Sequence, residues 1–226
     1  MKKIYCFFLL LCSLDAAAQE KDWFFSLSSS YVINGPGLML REKMDEQHFN
    51  SYSVGWIWDQ EYPIKGWRPN LLVRGGMQVR PKIMAFALAG LADNGWVKGY
   101  RESADYSQST IETHPRVDYK LLQFGAGIMY SPGTLMVGIA PGIYILNYQF
   151  YQEDPKSAKA MGVNFSLQVP IRKPGNKLGL DLLIETNYSS SMEMSRWNED
   201  NDLFQPGEIK IFSGSVGLAF SFRPSK

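Results

Sequence analysis

The chain has 226 residues, 45% hydrophobic, 14% aromatic and 20% charged, with 2 cysteines, 2 histidines and a formal net charge of +1. So apolar a chain is not disordered, and a net charge near zero gives no general electrostatic reason to bind nucleic acid. So few Cys and His leave little room for a zinc ribbon or another His/Cys metal centre, and one domain of about 200 residues is expected.

The first segment in chain order is an export signal. Met1-Lys2-Lys3 is basic, Ile4 to Leu14 is apolar, and Ala16-Ala17-Ala18 supplies small residues before Gln19. This predicts a signal peptide over residues 1–18, cut after Ala18, and a mature domain over 19–226. The apolar run is too short for a spanning helix, which needs about 20 residues. Leu11 stands before Cys12 where a lipoprotein signal requires a small residue, so lipidation is not expected. Both cysteines leave with the signal. Taking Lys2 and Lys3 from the 23 basic side chains and Asp15 from the 22 acidic ones leaves 21 of each, a mature chain of zero formal charge.

From Trp23 onward the sequence alternates with a period of two, the strand signal. Trp23, Phe25, Leu27, Ser29 and Tyr31 face one way, and Ser26, Ser28 and Ser30 the other. A second segment sets Tyr52, Val54, Trp56 and Trp58 against Ser53, Gly55 and Asp59. A third sets Leu71, Val73, Met77 and Val79 against Arg74, Gly76, Gln78 and Arg80. The fourth runs from Leu122 to Tyr130. Ser131-Pro132-Gly133 turns the chain into the fifth, Leu135 to Ile145, and the sixth runs from Met161 to Ile171. Lys173-Pro174-Gly175-Asn176 then leads into the seventh, Leu178 to Tyr188, and Phe212 to Phe222 is the eighth. Eight strands are expected, with connections that alternate: long at 34–50, 81–117 and 189–208, short or medium at 60–69, 131–134 and 173–177, and medium at 151–160. Ile83 to Leu91 is apolar enough to extend the third strand or to form a loop element of its own.

Alternation alone does not separate a soluble sandwich from an inside-out barrel. The face opposite the apolar one is informative. It carries Gly55, Gly76, Gly125, Gly127, Gly138, Ala140, Gly142 and Gly217, with isolated polar groups such as Gln123, Asn164 and Gln168. Small residues suit the crowded inside of a narrow barrel, whereas a solvated outside carries more Lys and Glu. Trp23, Tyr31, Trp58, Tyr130, Tyr188 and Phe222 fall near strand ends, as aromatic girdles do at the two headgroup layers.

Signal peptide, eight alternating strands, Pro/Gly turns and the closing Val216-Gly217-Leu218-Ala219-Phe220-Ser221-Phe222 resemble the small outer-membrane β-barrel proteins of Gram-negative bacteria, the OmpA-like and OmpX-like group. The resemblance covers almost all the mature chain and lies in pattern more than in diagnostic residues. It implies an all-β fold: an eight-stranded, antiparallel, up-and-down transmembrane barrel with long outer loops and short periplasmic turns. It also implies residence in outer-membrane lipid and insertion by the barrel assembly machinery, which reads a closing aromatic strand. Phe220 and Phe222 would carry that signal, although Arg223-Pro224-Ser225-Lys226 follow them.

An eight-stranded barrel leaves room only for its own side chains, so a filled polar lumen is expected rather than a pore. Arg74 is expected to meet Glu185 or Asp181 inside it, with Asp59 as a further member, since buried charges survive by pairing. Catalysis is not expected. His48 lies in Asp45-Glu46-Gln47-His48-Phe49-Asn50-Ser51, but neither it nor His114 has the His-x-Ser arrangement of outer-membrane lipid A deacylases. Gly35-Pro36-Gly37 and Gly75-Gly76 lack the strand-to-helix context of phosphate loops, and no EF-hand spacing occurs. No cofactor or metal is expected. Trp96, Tyr100, Met192, Met194, Trp197, Leu203 and Phe204 stand in the long connections, the last five near Glu199, Asp200, Asp202 and Glu208. Loops of this kind suit an extracellular protein or glycan partner, or equally pack on one another as a lid. The function expected is a structural and interaction scaffold. A lipid-modifying barrel enzyme and a soluble periplasmic barrel for a small apolar ligand are the alternatives.

Overall fold

The computed structural model describes residues 23–33, 35, 39–40, 56–61, 69–101, 112–150, 154–172, 178–194 and 207–222. These residues form β1 (Trp23–Val32), β2 (Trp56–Glu61), β3 (Pro69–Arg80), β4 (Ile83–Arg101), β5 (Glu112–Tyr130), β6 (Met136–Phe150), β7 (Lys156–Arg172), β8 (Leu178–Ser189), β9 (Met192–Glu193), β10 (Glu208–Ile209) and β11 (Phe212–Phe222). Signal residues 1–18 lie outside the described residues.

The sheet order β3-β1-β11-β8-β7-β6-β5 closes through β4, which pairs antiparallel with both β3 and β5. First and last barrel strands meet directly, with Phe25 opposite Phe222 and Tyr31 opposite Val216. Closure matters energetically, because a barrel leaves no unpaired backbone edge for lipid to meet. β2 is not a ninth stave. It pairs with the outer part of β4, Glu61 opposite Trp96, in line with β3, which pairs with the inner part of the same strand, Leu71 opposite Leu91. The barrel therefore has eight wall positions.

Two sequence expectations need correction here. The second and third predicted strands, around 52–58 and 71–79, share one wall position, and 81–117 is not a loop. Ile83–Arg101 is a strand of 19 residues, joined to β3 by the two-residue turn Pro81-Lys82, in which Lys82 takes a positive φ of 67°. The reason is compositional. In β4 the outward Ala85, Ala87 and Ala89 alternate with the inward Phe86 and Leu88, so both faces are apolar and no period-two contrast marks the strand.

Short connections, 81–82, 131–135 and 173–177, gather at the end where β1 begins and β11 stops; 33–55, 102–111, 151–155 and 190–211 gather at the other. A tilted strand needs about 9 to 11 residues to cross the hydrocarbon. β4 and β5, with 19 residues each, and β7, with 17, extend well beyond that at the long-connection end.

Sidedness follows the pleat. Phe124, Ile128, Val137, Ile143, Phe165, Ile184, Val216 and Phe220 point outward and are 40 to 58% exposed. In water such a continuous apolar surface would drive aggregation; against lipid it is the matched solvent.

The interior is layered rather than polar throughout. Phe24, Phe86, Leu88, Met129, Met136 and Ala140 pack as an apolar floor at the short-turn end. A second apolar cluster, including Val97, Val117, Tyr119, Leu146, Phe150 and Ala158, fills the opposite end. There Leu40 comes from the first long connection, and Met192, Met194, Ile209 and Ile211 come from the last, where β9 and β10 pair with Met192 opposite Ile209. The Arg74–Glu185 ion pair and the side chains bonded to it occupy the level between the two clusters, while Gln168 lies opposite Met136 of the floor and Asp93 meets Tyr119 of the second cluster.

Candidate functional site

Arg74 and Glu185 lie at the centre of the polar level, on β3 and β8, three wall positions apart, and each is 0% exposed. Strand parity aims both inward: Arg74 follows Leu72 and Asn70 on the buried face of β3, and Glu185 follows Asp181 and Leu183 on that of β8. Arg74 Nη2 is ion-paired with Glu185 Oε1. Arg74 Nη1 donates to Ser28 Oγ at 3.0 Å, and Ser28 Oγ donates to the Leu72 carbonyl at 3.2 Å.

Amides and a phenol extend the pair across the lumen. Asn164 Nδ2 donates to Glu185 Oε1 at 3.1 Å and to Asn187 Oδ1 at 2.8 Å. Tyr144 Oη donates to Asn187 Oδ1 at 2.9 Å and accepts from Gln123 Nε2 at 3.0 Å. Asn187 Nδ2 reaches Ser213 Oγ at 3.4 Å. This chain of contacts touches every barrel strand except β4. Gly162 makes space for it: a Cβ there would come within 2.5 Å of the Tyr144 ring. Within the described residues Arg74 Nε and Glu185 Oε2 have no hydrogen-bond partner, so the ion pair is desolvated without full compensation.

The other residues singled out from sequence fall as follows. Asp181 is buried on the same face of β8 as Glu185, two inward positions nearer the short turns. Asp59 lies in β2, its backbone opposite Lys98, and its side chain is outside the described residues. Phe220 points outward at 58% exposure; Phe222 packs against Trp23 beside the barrel seam, ring centroids 5.6 Å apart and tilted by 50°. His48 and the side chain of His114 are outside the described residues, as are Tyr100's side chain, Trp197, Leu203, Phe204, Glu199, Asp200 and Asp202. Ser28 meets Arg74, Ser213 meets Asn187 and Ser215 meets Asn70, whereas the hydroxyls of Ser26, Ser30 and Ser166 have no hydrogen-bond partner within the described residues. Among the described residues no group of three or more His, Cys, Asp or Glu could hold a metal ion.

In the sequence, Gln123 and Asn164 stand out as polar inward positions without being joined to the ion pair, and Tyr144 and Asn187 are not singled out. Parity gave their direction, but which inward residues meet depends on stagger between strands, which a single sequence does not contain.

A closed eight-stranded antiparallel barrel, apolar outside, polar at mid-lumen and short-turned at one end, has the architecture of a transmembrane β-barrel of the outer-membrane type. No family model and no curated protein matches the chain. Solved structures with a similar course include Ail, the attachment invasion locus protein of Yersinia pestis, in complex with the heparin analogue sucrose octasulfate. The identity is 10%, over 90% of this chain and 100% of that one, with a TM-score of 0.47. Neisserial surface protein A is similar at 8% identity, over 89% and 96% of the two chains, with a TM-score of 0.41. The outer membrane protein OprG from Pseudomonas aeruginosa is similar at 10% identity, over 89% and 96%, with a TM-score of 0.37.

Proposed function

We propose that this protein is a non-enzymatic scaffold of the outer membrane that works through its outer end. The filled lumen is the observation that carries the reading. An apolar floor, a hydrogen-bonded ion-pair level and an apolar cap succeed one another along the axis, so what the molecule offers a partner is the surface of its long-connection end. In this reading the short turns face the periplasm, residues 1–18 direct export, and Phe220 and Phe222 present the closing strand to the assembly machinery. The Arg74–Glu185 network acts as a structural plug.

Fractionation with a heat-modifiable gel shift tests the architecture in cells. The mature protein should stay with the outer membrane, migrate faster unboiled than boiled, and begin at Gln19. A heat-insensitive protein in the soluble periplasmic fraction refutes it. His48→Ala tests the absence of catalysis: membrane level, heat-modifiability and the lipid A acylation pattern should all match wild type. An acylation pattern that depends on the protein and changes with this substitution would establish an enzyme.

A further inference from the structure

The outer wall carries a cavity that the lumen does not explain. β4 bulges between Leu91 and Asp93 in its pairing with β5. Below the bulge, odd-numbered residues of β4 face outward; above it Asp93 and Val97 are buried, and Asn94 and Trp96 take the outward side. An extra residue in one strand re-aims every later side chain, and here it places an indole on the outside of the barrel.

Three neighbouring strands then form a two-rung grid. Trp96 is opposite Asp118, which is opposite Gln149; Asn94 is opposite Lys120, which is opposite Asn147. Strand spacing and residue rise give the grid a span of about 10 Å by 7 Å. These six residues, with Gly95, Tyr119, Tyr148 and Pro155, line a shallow cavity of about 360 Å³. The rung beneath is Leu91, Leu122, Ile145 and Lys159, where the apolar belt ends, so the cavity opens sideways just above the hydrocarbon.

We propose that this cavity is a saccharide-binding site. An aromatic face takes the apolar C–H face of a sugar ring, and planar amides and a carboxylate, each able to engage adjacent hydroxyls, are the matching polar groups. Three amides, one carboxylate and one lysine around one indole supply both within a single ring's reach. Such a site is shallow because a sugar has no deep apolar end to bury, and its one Asp and one Lys balance in charge. The occupant is a sugar ring, either free or the headgroup of an outer-leaflet glycolipid. The site lies on the strand wall, with Pro155 of the 151–155 connection at its edge, and it rests on the proposed orientation with the long connections outside.

Saturation-transfer NMR on the purified full-length protein in detergent, with methyl glycosides of glucose, galactose and N-acetylglucosamine, tests it. At least one glycoside should show transfer and quench tryptophan fluorescence. Trp96→Ala should abolish binding, Trp96→Phe should retain part of it, and Asn147→Ala should weaken it about tenfold, all with wild-type heat-modifiability. Occupancy should persist in high salt, because stacking and neutral hydrogen bonds are little screened. Competition separates the two sources: glycolipid added to nanodiscs displaces the glycoside only where the headgroup is the natural occupant. No transfer to any glycoside, or binding unaltered by Trp96→Ala and Asn147→Ala, overturns the proposal. Since fractionation reads the orientation and location independently, a correctly inserted barrel that binds no sugar refutes this inference alone.

Discussion

Glu185→Leu is expected to cost about 3 to 5 kcal/mol of folding stability, because it leaves the Arg74 guanidinium buried without its counter-charge. Arg74 has no route to water, at 0% exposure, and Ser28 is its remaining polar contact among those identified in the network. Adding Arg74→Met should return most of that loss and end near wild type or above it. Two apolar side chains of similar volume avoid the desolvation that the ion pair carries, and Nε and Oε2 leave that desolvation partly uncompensated within the described residues. Urea titration of refolded barrels in lipid vesicles, read by tryptophan fluorescence and gel shift, gives the complete double-mutant cycle. A coupling between the two positions near zero would contradict a shared interaction; a double variant as unstable as Glu185→Leu alone would contradict the desolvation argument. Neither variant should open the barrel, since the apolar floor around Phe86 and Met129 and the cap around Tyr119 and Leu146 do not depend on the pair.

How much of this was legible beforehand varies along the chain with the contrast between the two faces. In β1, serines alternate with large apolar residues, and in β8 Asp181, Glu185 and Asn187 alternate with Leu182, Ile184 and Tyr188, so direction and burial follow from parity. β4 is the opposite case. Its inward Phe86 and Leu88 join the apolar floor, its outward alanines face lipid, and the strand reads as a generic apolar run within a supposed loop. That error also hid the outer-wall grid, because Trp96 and Asp118 become neighbours only once β4 and β5 are paired and the bulge at Leu91/Asp93 is known. For the lumen, sequence aimed Arg74 inward and left Glu185 or Asp181 as its partner, and the structure pairs it with Glu185. The network around them required the stagger of β6, β7 and β8.

Leu182→Arg is expected to destabilise the barrel by about 2 to 4 kcal/mol, and Leu178→Arg by only about 0 to 1. The difference follows from depth. Leu182 sits mid-strand in β8, opposite Leu218 of β11, with apolar outward residues on the same strand above and below it. Leu178 is the first residue of β8, four residues nearer the short-turn end of the same strand and opposite Phe222, where a long cationic side chain reaches the headgroup layer. In a soluble sandwich or ligand-binding barrel the order would come from packing density instead, and both substitutions would fall on the core. Refolding equilibria in lipid vesicles distinguish these cases, since a membrane midplane penalises charge by depth whereas water does not. Equal costs at the two positions, or a gain in solubility without detergent on introducing Arg at either, would mean that the outward face is not solvated by lipid. The predicted gradient instead locates the membrane along each strand: on β8 its centre lies near Leu182 and its short-turn boundary near Leu178, and on β5 its outer boundary lies where Leu122 gives way to Lys120. The outer boundary sets the sugar-sized grid at headgroup height, so a depth scan along β5 from Phe124 to Lys120 also determines where that cavity stands relative to the bilayer.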